Sequence, residues 1–252
     1  MRINILDNLS RKANIFTFDD AQKISNINRN ILKVLLKRLE NQGWIERIEK
    51  GKYMIIPLGA KKEAYTLNEF IIGSILVKPY AISYWSALNF HSFTEQIPST
   101  VFIQTVSRKK SQDKTIFGIN YKIVKVKNQK FFGFQQETID DSGVFITDRE
   151  KTIIDCLDKP QYCGGIIEAA KAIKSGKYDT KKLVEYAKKI GNTGVIRRLG
   201  YLLDLYEKNN NLIPVKTRNY LFLNPGLKKI GKIEPKWKLV INLDEKELKN
   251  LE

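Results

Sequence analysis

At 252 residues and 29.1 kDa the chain is long enough for two folded units, each with its own core. It carries 44 Lys and Arg against 27 Asp and Glu, a net charge of +17 and a pI near 9.7, which favours a polyanionic partner. One His and two cysteines, Cys156 and Cys163, are too few for a zinc site or a Cys-His catalytic pair. No apolar run is long enough to span a bilayer, so the expectation is a cytoplasmic, non-membrane protein with buried, reduced thiols and no cofactor. Lys, Ile and Asn are abundant throughout, so part of the basic excess reflects composition. The excess is nevertheless densest at the N-terminus, where residues 1–62 hold 13 basic and 6 acidic side chains.

In chain order, Ile3, Ile5, Leu6 and Leu9 recur at helical spacing across 2–12 and predict a first helix. Phe16 and Phe18 then lead, with Thr17 or Asp19 as cap, into a short positioning helix over 20–24, and the turn Ser25-Asn26-Ile27 follows. Asn28 is a natural N-cap for the next helix, on which Leu32, Leu35, Leu36 and Leu39 mark one buried face. The opposite face carries Arg29, Asn30, Lys33 and Lys37, donors suited to base edges and phosphates if the helix lies in a major groove. Gly43 ends that helix as a left-handed cap. The runs 44–48 and 53–56 read as a hairpin turning through Glu49-Lys50-Gly51-Lys52, with Gly51 supplying positive φ and Lys50 and Lys52 a basic tip. Each piece alone is an ordinary packed helix or hairpin. Their order predicts a winged helix-turn-helix domain over 1–62, with Asn28, Arg29, Asn30, Lys33, Lys37, Lys50, Gly51 and Lys52 as its DNA-binding set.

Pro57 and Gly59 close the hairpin, and the charged stretch 60–64 marks a domain boundary, with a second unit over 63–252. A helix is expected over 68–76, stopping before Pro79, and a second over 83–90 capped by Ser83 and ended by His91. A lone His at a helix end more commonly satisfies a carbonyl than performs chemistry. Stretches 101–106, 115–126, 130–138 and 144–146 are rich in β-branched and aromatic residues and predict a mostly antiparallel sheet. Arg108, Lys109 and Lys110 fall between two of these strands, as a solvated loop or as phosphate contacts. Thr147 and Glu150 have capping-box spacing ahead of a helix, and helices are expected over 166–175, 180–190 and 193–206. Gly164-Gly165 lacks the frame of a phosphate-binding loop and reads as a tight turn. Closing strands at 220–223 and 238–243 and a charged tail over 244–252 complete an α+β chain, a winged helix-turn-helix followed by a larger α+β domain with a helical C-terminal part.

Three segments, GKYMIIP at 51–57, YAISYWSALNFHSFTEQIPSTVFIQT at 80–105 and TDREKTIIDCLDKPQYCGG at 147–165, resemble the AbiEi-type antitoxins of abortive-infection systems. Tyr84, Ser86, Leu88, Thr94, Arg149, Asp155 and Gly165 occupy the family's signature places, with no catalytic role attached. The resemblance implies a repressor that binds double-stranded DNA at its own promoter through the winged helix. It also implies an antitoxin domain that counteracts a partner toxin of nucleotidyltransferase type. Whether the protein sits on DNA as a dimer is left open. Two other readings stand beside this one: a one-component regulator with a ligand-sensing C-terminal domain, and a DNA-tethered nuclease. The nuclease would need clustered carboxylates about metals, for which Glu247 and Lys249 in the charged tail are a poor match.

Overall fold

The computed structural model describes residues 2–10, 14–57, 60 and 67–251. The first unit runs α1 (Arg2–Ser10), β1 (Ile15–Thr17), α2 (Phe18–Ser25), α3 (Arg29–Asn41), β2 (Ile45–Glu49) and β3 (Lys52–Ile55). Its three strands lie in the order β1-β3-β2, both pairings antiparallel. Ile5, Leu6 and Leu9 of α1 meet Phe16, Ala21, Leu32, Leu36, Leu39, Ile45, Tyr53 and Ile55 in one apolar cluster, as the leucine spacing requires. The expected end of the first helix at 11–12, and nearly all of the charged boundary at 60–64, lie outside the described residues.

The second unit is built on a six-stranded sheet of β4 (Ala81–Ile82), β5 (Thr100–Thr105), β6 (Asp113–Ile116), β7 (Ile119–Lys125), β8 (Phe134–Ile139) and β9 (Ser142–Thr147). Its order is β6-β7-β5-β4-β9-β8. Three of its pairings are antiparallel, but β5–β7 and β4–β9 are parallel. Parallel neighbours need long crossovers and leave no local turn signal, so the sequence could not announce them. The stretch 115–126 is not one strand. It is folded into the β6–β7 hairpin by Phe117 and Gly118, at φ 50° and 79°. The stretch 130–138 likewise starts in a 3-10 turn at Asn128–Lys130 and becomes a strand only at Phe134, because Phe131 and Phe132 pack toward the helices instead.

On one face of this sheet lies α4 (Glu69–Leu76), capped by Asn68, whose Oδ1 accepts from Phe70 N–H at 2.9 Å. Its apolar residues share a cluster with Ile82, Val101, Ile103, Ile123 and Ile146 of the sheet, and with Ile48 and Met54 of the first unit's hairpin. The two units are thus joined through continuous apolar packing.

On the other side α5 (Tyr84–Phe90) leads to the helical part, α6 (Arg149–Asp158), α7 (Ile166–Ser175), α8 (Thr180–Lys189) and α9 (Thr193–Leu205). A small sheet of β10 (Leu221–Phe222), β11 (Lys232–Glu234) and β12 (Leu239–Ile241) and the short α10 (Glu245–Lys249) close the chain. Strand β11 went unseen in the sequence because Lys232, Ile233 and Glu234 present no buried alternation. Arg197 and Arg198 of α9 turn inward and hold this sheet, donating to the carbonyls of Trp237 and Leu223 through Nε, each at 3.0 Å.

Two helix starts differ from expectation. Ser83 makes no side-chain cap, because it is still extended and donates its N–H to the Phe102 carbonyl at 3.0 Å, continuing β4 beside β5. The cap of α6 is Asp148, whose Oδ1 accepts from Lys151 N–H at 2.8 Å. Thr147 remains in β9 and pairs its hydroxyl with Thr152, while Glu150 accepts from Asp179 N–H at 2.8 Å and holds Lys182.

Most of the residues that carry the resemblance make packing or hydrogen-bond contacts within the second unit. Ser86 Oγ accepts from Phe102 N–H at 3.0 Å and fixes α5 to β5, and the Tyr84 hydroxyl accepts from Gln104 at 3.3 Å. Thr94 receives the N–H of Gln96, and Gly165 adopts φ 94° in the tight turn before α7. Arg149 lies over the Phe93 ring and reaches the Lys177 carbonyl. Asp155 is wholly buried and salt-bridged to Lys151, itself fully buried; burial pushes the Asp155 carboxyl up, against the opposing pull of Lys151. His91 is buried with its Nε2 2.7 Å from the Thr147 carbonyl oxygen, joining the end of α5 to the end of β9. Cys156 and Cys163 are free, buried thiols whose pKa is pushed up by burial, which disfavours the thiolate.

Candidate nucleic-acid interface

The interface is assembled by caps. Thr17 and Asp20 form a capping box at the start of α2, in which Thr17 Oγ1 accepts from Asp20 N–H at 3.1 Å and Asp20 accepts from Thr17 N–H at 2.8 Å. Asn26, at φ 49°, ends α2 in the left-handed region, and two residues later Asn28 Oδ1 accepts from Asn30 N–H at 2.9 Å to start α3. The turn is therefore fixed at both ends by local hydrogen bonds, and it presents α3 with Leu32, Leu36 and Leu39 inward. Arg29, Asn30, Ile31, Lys33, Val34, Lys37, Arg38 and Asn41 face outward.

Arg29 stands over the Phe18 ring, 4.7 Å from its centroid, and pairs loosely with Asp19 at 3.7 Å. With Lys33, Arg47, Lys50, Gly51 and Lys52 it lines a groove between the N-terminal turns of α3 and the hairpin. Lys37 and Arg47 share Glu40, at 3.2 and 3.3 Å. Arg47, not singled out from the sequence, therefore belongs to the same exposed basic surface, and Arg38, likewise not singled out, is exposed on the opposite flank of α3. A signal was available for each: Arg38 is a cation off the leucine face of α3, and Arg47 is an exposed cation on the hairpin strand β2.

The hairpin differs from a free wing. Gly51 adopts the anticipated φ of 74°, but its carbonyl accepts from Phe18 N–H at 2.8 Å, which draws the tip back against α2. Lys50 is exposed. Lys52 is turned inward, salt-bridged to Glu49 and donating to the Leu76 carbonyl at 2.7 Å. Glu49 also accepts from Lys109 at 3.3 Å and from Lys114 of β6. Burial works to raise the Glu49 carboxyl, but hydrogen bonds from Lys114 and Lys52 and the Lys109 charge hold it at about 2. The basic loop of the second unit is thus split: Lys109 is bound to Glu49, whereas Arg108 and Lys110 are exposed beside the hairpin. Glu247 and Lys249 sit exposed on α10, and among the described residues no group of three His, Cys, Asp or Glu side chains is close enough to hold a metal. No helix among the described residues is long and apolar enough to cross a membrane.

A three-helix, three-strand unit with an outward, basic α3 beside a hairpin has the architecture of a winged helix-turn-helix. Residues 4–56, which are most of that unit, match the family model described as transcriptional regulator, AbiEi antitoxin. No curated protein matches the chain. Among solved structures, the RV2827C protein from Mycobacterium tuberculosis is similar over 95% of this chain and 90% of its own, with a TM-score of 0.61 and 13% identity. That likeness is one of fold, and it extends through both units.

Proposed function

We propose that the protein represses its own promoter through residues 1–62 and that residues 63–252 counteract a partner toxin of nucleotidyltransferase type. The observation carrying the DNA half is the outward face of α3, where Arg29 and Lys33 line one groove with exposed Lys50 and where Asn30 and Lys37 are exposed alongside. In this reading Arg29, Asn30 and Lys33 contact base edges, while Lys37, Lys50, Arg108 and Lys110 contact phosphate. Asn28 contributes its amide nitrogen, since its oxygen is taken by the cap, and Gly51 shapes the tip. Lys52 and Lys109 act from behind, holding Glu49. The toxin's type and the use of the protein's own promoter rest on the resemblance to AbiEi-type antitoxins.

The test keeps the chain whole, because Ile48 and Met54 pack into the second unit's cluster and separated halves would expose that surface. Footprinting on the DNA upstream of its own reading frame should reveal a protected site that is lost in an Asn30→Ala, Lys33→Ala double variant. The same variant should still protect growth when co-expressed with the adjacent toxin. No protected site, or loss of growth protection in that variant while it remains folded, refutes the division of roles.

A further inference from the structure

The outermost line of α3 is not wholly polar. Asn30, Val34, Lys37 and Asn41 lie opposite the buried Leu32, Leu36 and Leu39, and Val34 is 53% exposed in the middle of that line. Ile31, at 60%, lies beside Arg38 on the flank away from the groove, while Arg29 and Lys33 form the flank toward it. A single exposed Val on a surface helix calls for no explanation. Here, however, it stands one turn from Asn30 and next on the helix surface to Lys37 and Arg38, so whatever covers it brings negative charge around an apolar point.

The major groove of duplex DNA has that chemistry. Phosphates flank its floor, and the one apolar group its base edges present is the C5-methyl of thymine. An Asn side chain is suited in turn to the N6 and N7 of adenine. Side chains one helical turn apart are about 5–6 Å apart at Cβ, which spans one or two base steps of about 3.4 Å. We infer that Val34 is a specificity-determining residue that reads a thymine methyl, one or two base pairs from an adenine read by Asn30, so that the recognised core is made of A·T pairs. The inference rests on the proposed placement of α3 in the major groove and adds the sequence class it selects. Lys33, Lys37 and Arg38 hold the helix to the backbone on either side, and Val34 discriminates without charge.

The experiment uses the full chain and duplex DNA selected from a random-sequence library. The selected site is resynthesised with deoxyuridine in place of thymidine at one position at a time, which removes one methyl and changes nothing else on the base edge. The wild type should lose roughly three- to fivefold in affinity at one thymine, the size expected for withdrawing one methyl from an apolar contact. Val34→Ala should bind the thymidine duplex weaker by a similar factor and be indifferent to deoxyuridine there, while Ile31→Ala keeps the wild-type response at that position. Val34 is exposed, so an unchanged melting temperature is expected to accompany the variant.

Two results overturn the inference while leaving α3 a DNA reader: equal deoxyuridine responses in wild type and Val34→Ala, or a selected site without thymine. Dissociation of a dimer by Val34→Ala, together with deoxyuridine indifference in the wild type, assigns this face to a second copy of the chain and likewise overturns it. If the library yields no preferred sequence at all, the placement of α3 on DNA fails, and the thymine contact with it.

Discussion

Replacing Glu49 by Gln tests the coupling of the two units more directly than any change on the DNA face. Glu49 lies in the hairpin, yet it holds Lys109 and Lys114 of the second unit as well as its neighbour Lys52, and its side chain is only 16% exposed. A carboxyl lowered from 4.5 to about 2 corresponds at full strength to about 3 kcal/mol, and solvent screening of a partly exposed cluster reduces this to roughly 1–2 kcal/mol. Because the folded-state value lies below the unfolded one, this stability is fully present above pH 4.5 and is lost as pH falls through about 2. Glu49→Gln should therefore lower the melting temperature at pH 7 by about 3–6 °C, and the gap to the wild type should narrow steadily below pH 4.5. Affinity for random-sequence duplex at low salt should move the opposite way, rising, because Lys52, Lys109 and Lys114 lose their carboxylate. Differential scanning calorimetry over a pH series and anisotropy on a labelled duplex measure the two effects. A melting temperature unchanged at pH 7, or a deficit that persists undiminished at the acid end, would refute this account of the junction.

Other outcomes follow from the same geometry. Arg29→Ala or Asn30→Ala should cost about 1–3 kcal/mol on the selected site and less on random duplex, compared by competition titration. Lys50→Ala should reduce the slope of log affinity against log salt by about 0.9, whereas Lys52→Ala, already engaged by Glu49 and the Leu76 carbonyl, should change the slope less. Gly51→Val, at φ 74°, should destabilise the hairpin by about 1–3 kcal/mol in urea titration. Lys151→Ala leaves the buried Asp155 carboxylate without its cation and should cost about 3–5 kcal/mol, with Asp155→Asn in the same background restoring part of that loss.

What the sequence determined by itself was whatever a few neighbouring residues could settle. The cap at Asn28, the leucine line of α3, the positive φ at Gly43 and Gly51 and the outward set Arg29, Asn30, Lys33 and Lys37 each depend on hydrogen bonds or spacing within about one helical turn. Local signals also fixed α7, α8 and α9 nearly to the residue. Tertiary structure decided whatever required a partner distant in the chain. The fates of Lys52 and Lys109 turn on Glu49, whose contacts reach 60 and 65 residues ahead, and no local pattern distinguishes a lysine facing phosphate from one closing an internal ion cluster. The parallel pairings of β5 with β7 and β4 with β9, and the choice of Asp148 over Thr147 as cap, were decided in the same way. Thr147 has a cap's chemistry, but the sheet had already claimed its backbone. Packing also placed Ile48 and Met54 of the hairpin in one apolar cluster with α4. A hairpin's alternation says that one face is buried; only the assembled core says against what.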